Sequence, residues 1–86
     1  MDAVPLVLLT ALRDLIDQSS LEAGFVQFQA ITGGGVDYDS FRSAIAACLR
    51  DGLIHDPVRL DAGALQCHWR LELTPKGVAA ARALIG

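Results

Sequence analysis

At 86 residues the chain is sized for one domain on a single core, near the lower end of what folds without added staples. Its composition, 52% hydrophobic with a mean hydropathy of +0.40, is rich for so small a core and leaves apolar surface for self-association or a larger assembly. A net charge of −3 and a pI near 5.0 weigh against a broad nucleic-acid surface, which rests on clustered Lys and Arg, but leave room for a small basic face.

In chain order, the spacing predicts a first helix from Pro5 to about Gln18. Leu8, Leu9, Leu12, Leu15 and Ile16 recur at helical intervals, with Arg13, Asp14, Asp17 and Gln18 opposite. Pro5 suits the first turn, where a missing N–H costs nothing. Ser19-Ser20 breaks the pattern, and Leu21-Glu22-Ala23-Gly24 reads as a brief extended segment. Phe25, Phe28, Gln29 and Ile31 then suggest a short second helix that stops at Gly33-Gly34-Gly35.

Asp37 or Asp39 is placed to cap a third helix, whose buried stripe is expected to be Phe41, Ile45, Cys48 and Leu49. Gly52 is the expected stop. Leu53 to Leu60 reads as a strand held to an edge or bulge by Pro57. After a turn at Asp61-Ala62-Gly63-Ala64, the run from Leu65 to Leu73 alternates apolar and polar without error, the clearest strand signal in the chain. The two strands form a hairpin, with Trp69 in phase with Cys67 and Leu71 and so expected in the core. Thr74-Pro75 caps and opens a last helix, about Pro75 to Ile85, with Val78, Ala81, Leu84 and Ile85 available for packing.

No apolar run approaches the ~20 residues that span a bilayer, and Asp2 stands where a secretory signal carries basic residues. A cytoplasmic location is expected. Met1 and the helix set favour one whole small protein, a single domain over 1–86.

Two stretches carry a family likeness. SFRSAIAACLRDGLI, Ser40 to Ile54, resembles a recognition helix running into a first wing strand, and WRLELTPKG, Trp69 to Gly77, resembles a returning wing strand entering a final helix. Together they are similar to winged helix-turn-helix regulators of the MarR and PadR type, over nearly the whole chain. The resemblance implies an α+β winged helix: a three-helix core with a helix-turn-helix, a two- to three-stranded antiparallel wing and a C-terminal helix. It also implies a cytoplasmic transcriptional regulator whose third helix enters the major groove of double-stranded DNA.

On that reading the exposed residues of the third helix are Ser40, Arg42, Ser43, Ala46, Ala47 and Arg50. Arg42 would pair with a guanine edge, Ser43 would contact phosphate or base, and the alanines would offer little beyond a thymine methyl. Arg59, Gln66, His68 and Arg70 on the wing would reach the backbone or an adjacent groove. A homodimer contact is expected from Leu6, Val7 and Leu9 in the first helix with Val78, Ala79, Leu84 and Ile85 in the last.

Asp37 and Asp39 depart from a strong DNA binder, because they occupy the helix N-terminus that a phosphate would use. The competing expectation is a winged helix that binds another protein instead of DNA. Arg42 and Arg50 then serve as solvated charges paired with Asp39 and nearby acids.

Chemistry of other kinds finds little purchase in the sequence. Cys48 and Cys67 make no disulfide framework, and His55 and His68 lack the paired short spacing of a zinc site. Gly33-Gly34-Gly35 lacks the Lys-Ser/Thr of a phosphate loop. No nucleophile, base and orienting residue assemble from spacing, so neither an enzyme nor a cofactor is expected.

Overall fold

The computed structural model describes residues 2–60 and 67–85, with the backbone alone at 59, 60 and 67. Helix α1 (Val4–Arg13) starts as Asp2 Oδ1 accepts the Val4 N–H at 3.0 Å, with Pro5 in the first turn. It ends sooner than its apolar spacing predicts. Asp14 turns extended, and 16–18 form strand β1 (Ile16–Gln18). The reason lies elsewhere in the chain: Ile16 is buried by pairing with Leu71, which a helix continued to Gln18 would forfeit.

Helix α2 (Leu21–Thr32) includes the Leu21–Gly24 segment expected to be extended. Ser20 Oγ accepts the Ala23 N–H at 3.1 Å and so caps it, and Leu-Glu-Ala are good helix formers. The short strand therefore precedes the Ser19-Ser20 break. Gly33 closes α2 at φ +86°, a left-handed conformation that glycine takes without penalty.

Helix α3 (Tyr38–Arg50) is capped by Asp37, whose Oδ1 accepts the Ser40 N–H at 2.7 Å. Its C-terminus is a Schellman motif. Gly52, at φ +73°, donates to Leu49 O at 3.2 Å and Leu53 donates to Cys48 O at 2.8 Å. The chain leaves at once into an Ile54–Leu73 bridge and then β2 (Val58–Leu60). Pro57 sits just before β2, and its carbonyl accepts the Arg70 N–H at 2.8 Å.

Strand β3 (Cys67–Leu71) is central in a three-stranded antiparallel sheet of order β1-β3-β2; the strand expected over Leu53 to Leu60 is thus only the Ile54 bridge and the edge strand β2, with Pro57 in the bend between them. The turn expected at Asp61–Ala64 lies outside the described residues. Helix α4 (Pro75–Ile85) follows Thr74, whose Oγ1 accepts the Gly77 N–H at 3.0 Å and donates to Gly52 O at 2.7 Å. One hydroxyl thus ties the start of α4 to the end of α3. Lys76 adds a second tie, its Nζ donating to Asp51 O at 2.9 Å.

The described chain is a small α+β arrangement of four helices around one antiparallel sheet. Its core centres on an aromatic row in which Phe41 lies 4.7 Å from Phe28 and 6.1 Å from Trp69 between ring centroids. Val7, Leu8, Ile16, Ile45, Cys48, Ile54, Leu71 and Ala81 pack around it, with Ala3, Val36 and Ala44. Trp69 is buried, as its strand phase predicts. Leu49, placed in the buried stripe of α3, is 43% exposed, and Leu15, placed on the apolar face of the first helix, is 56% exposed, whereas Val7, placed in a dimer contact, is fully buried. Ala44 takes the stripe position that Leu49 was given. Among the described residues no helix is long and apolar enough to cross a membrane.

Candidate nucleic-acid interface

Helix α3 is amphipathic in a clean division. Phe41, Ala44, Ile45 and Cys48 face the core, and Arg42, Ser43, Ala46 and Arg50 are exposed. Asp39, Ser43, Ala46 and Arg50 follow one another at intervals of three and four and so form the outward line. Ser40 and Ala47 are half-buried to one side. With Ser43 they line a depression of about 340 Å³ against the first residues of α1, where Asp2 and Asp39 bring negative charge. Of the six residues expected to act together, Ser43, Ala46 and Arg50 stand on the open line, Arg42 is exposed beside it, and Ser40 and Ala47 lie on a flank shared with α1.

The electrostatics of this face are nearly balanced. Arg42 Nη2 lies 3.9 Å from Asp39 Oδ1, and its guanidinium carbon stands 5.7 Å from the centroid of the Tyr38 ring. Arg50 Nε lies 3.5 Å from Asp51 Oδ1. These pairs are exposed and of little energetic weight. At the N-terminus, hydrogen bonding from Ser40, the backbone N–H first, holds the Asp37 carboxyl below the usual carboxylate range. A bound phosphate would meet that charge.

On the sheet, Arg59 stands opposite His68 and Asp17 opposite Arg70. His68 is exposed, its Nδ1 3.9 Å from Asp17 Oδ1. Arg70 is half-buried, and its Nε is shielded from solvent without a hydrogen-bond partner. Gln66 lies outside the described residues, and Arg59 is located only through its strand. The sequence reading missed Asp17, hidden in a presumed helix, and Tyr38 beneath Arg42. It also missed the exposure of Leu49, signalled only by its place seven residues after exposed Arg42.

The residues assigned to a dimer contact differ in exposure, and Val7 is buried. Leu6 is 36% exposed and Leu9 half-buried on α1, while Val78 is half-buried and Ala79, Leu84 and Ile85 are exposed on α4. Among the described residues no group of three His, Cys, Asp or Glu side chains is placed to hold a metal ion. No protein-family model matches the chain, and no curated protein and no solved structure matches it.

Proposed function

We propose that the chain is a winged-helix domain that reads duplex DNA, with α3 in the major groove and the β2–β3 ribbon along the backbone. The observation that carries this reading is the outward line of α3, open over its length and fixed at both ends by caps. The ribbon leaves directly from its last turn. Four of the seven basic residues, Arg42, Arg50, Arg59 and Arg70, lie on α3 and that ribbon. Arg42 reads a guanine edge after releasing Asp39, a weak exposed partner, and Arg70 neutralises a phosphate. With Asp37 and Asp39 at the helix entrance, affinity is modest and depends strongly on salt.

A residue-resolved NMR titration of the whole chain with a mixed-sequence duplex tests this, at low salt and again at higher salt. The expected result is concerted shifts of the Ser40–Ala47 and His68–Arg70 amides that fade as salt rises. An absence of shifts, or shifts scattered over unrelated basic residues, overturns it.

A second reading has its own support. Ala46, Ala47 and exposed Leu49, with both arginines set against acids, give α3 a face low in free charge, suited to another protein. That role is the one left standing if DNA moves no amide at low salt.

A further inference from the structure

Arg42 sits one turn into α3, and its guanidinium reaches back toward the start of the helix, where it meets Asp39 and Tyr38. The two neighbours hold it in different ways. Asp39 attracts an edge of the guanidinium, with Nη2 3.9 Å from its carboxylate. Tyr38 offers the face of its ring, 5.7 Å from the guanidinium carbon, and that attraction uses none of the N–H donors. Only the second contact leaves the fork of donors open to a guanine.

The Tyr38 ring is itself anchored from α2. Phe25 meets it edge to face, with centroids 5.3 Å apart and planes at 70°, and the Tyr38 hydroxyl donates to Glu22 Oε1 at 3.4 Å. Phe25 in turn lies 5.3 Å from Phe41, at the centre of the aromatic row. A short chain of ring contacts therefore runs from the core to the exposed guanidinium, with Tyr38 half-buried along it.

We infer that Tyr38 is a positioning residue for Arg42: fixed by Phe25 and Glu22, its ring holds the guanidinium near the entrance of α3 with its donors free. The inference rests on the DNA reading. Recognition helices contact base edges through their N-terminal residues, which is where this arrangement keeps the charge. An arginine already held there loses less side-chain freedom on binding, so the ring contributes where Arg42 meets its base. Without the ring, Asp39 is left as the competing partner.

Two measurements on the whole chain test this. In the free protein, the ring current of Tyr38 should move the Arg42 side-chain resonances upfield; Tyr38→Leu should abolish that displacement and Tyr38→Phe should keep it. The second measurement is fluorescence anisotropy with duplexes that differ at single base pairs. Tyr38→Leu should shrink the preference among them by about two- to fivefold, the worth of such a contact at an exposed site. The salt slope should stay unchanged, because no charge is lost. Tyr38→Phe should retain the preference. A double-mutant cycle separates positioning from a general loosening of α3: with Arg42→Ala already in place, Tyr38→Leu should have no further effect on preference. Far-UV circular dichroism checks that each variant is folded.

Arg42 resonances indifferent to Tyr38→Leu overturn the inference. So does an undiminished preference in that variant, or an equal loss when Arg42 is already absent. A parent chain that binds no duplex overturns the DNA reading and this use of the arginine with it. That result is distinct from a parent that binds and a Tyr38→Leu variant that discriminates as well, which removes the positioning role alone.

Discussion

A methyl group at position 24 would lie 2.5 Å from ring carbons of Trp69, and one at position 77 would lie 1.9 Å from the Leu53 carbonyl oxygen. The ring has some freedom to move, but the backbone carbonyl has little. Gly24→Ala should therefore cost about 1–3 kcal/mol and Gly77→Ala at least as much, measured by urea unfolding. Gly35→Ala is the control, with open space around it and no left-handed φ, and should stay within about 0.5 kcal/mol. The burden on Gly24 is invisible locally, because the ring that creates it arrives from β3.

Two titrations belong to the same scale. Burial first, then the charges of Asp51 and Asp2, pushes the Cys48 thiol up to about 11 from 9.0. A raised folded value makes the stabilisation complete below about pH 9 and lost as pH climbs toward 11. Cys48→Ala, compared with the parent by thermal unfolding across that window, should flatten the alkaline decline. Asp37 has the opposite sign. Its folded value lies below 3.8, so its contribution is present above that pH and disappears as acid protonates the cap. Asp37→Asn should keep the helix cap at neutral pH and reduce the acid sensitivity of unfolding.

Among the elements, the junction of α3, β2 and α4 concentrates the most structure in the fewest residues. Thr74→Ala removes both the cap on the Gly77 N–H and the bond to Gly52 O, at a cost of about 1–2 kcal/mol. Amide exchange should quicken at Leu53 and Gly77 before it does in α1. This junction was legible in advance, because Gly52 and Thr74-Pro75 carry their signals within a few residues. Strand β1 was not. Leu15 and Ile16 satisfy helical spacing after Leu8 and Leu12, and only Leu71 decides that Ile16 belongs to a sheet. The start of α2 had a local signal in Ser20, which reads as a break between elements until its hydroxyl is seen to cap the helix. Position 49 shows a limit of periodicity: Leu49 and Ala44 both fit the stripe of α3, and neighbouring elements determine which is covered.

For the molecule as a whole, charge placement matters more than total charge. The chain is acidic, yet α3 and the ribbon hold most of its arginines, so the interface proposal turns on local field and ionic strength. If Arg70 neutralises a phosphate, Arg70→Ala should reduce the slope of log affinity against log salt by about one and weaken all duplexes alike. If Arg42 reads a base edge, Arg42→Ala should instead flatten preference among sequences. Fluorescence anisotropy over a salt series with several duplexes separates the two behaviours. The pairing of Arg42 with Asp39 and of Arg50 with a nearby acid could be read from the sequence, and so could the division of α3 into core and surface apart from Leu49 and Ala44.

That division has a consequence for how such a chain can change over time. The residues that anchor α3, namely Phe41, Ala44, Ile45 and Cys48, are disjoint from Arg42, Ser43, Ala46 and Arg50, which it displays. Selection can rewrite the displayed set while the anchoring set is held constant. A lineage built on this scaffold is therefore free to exchange one recognition surface for another through folded intermediates.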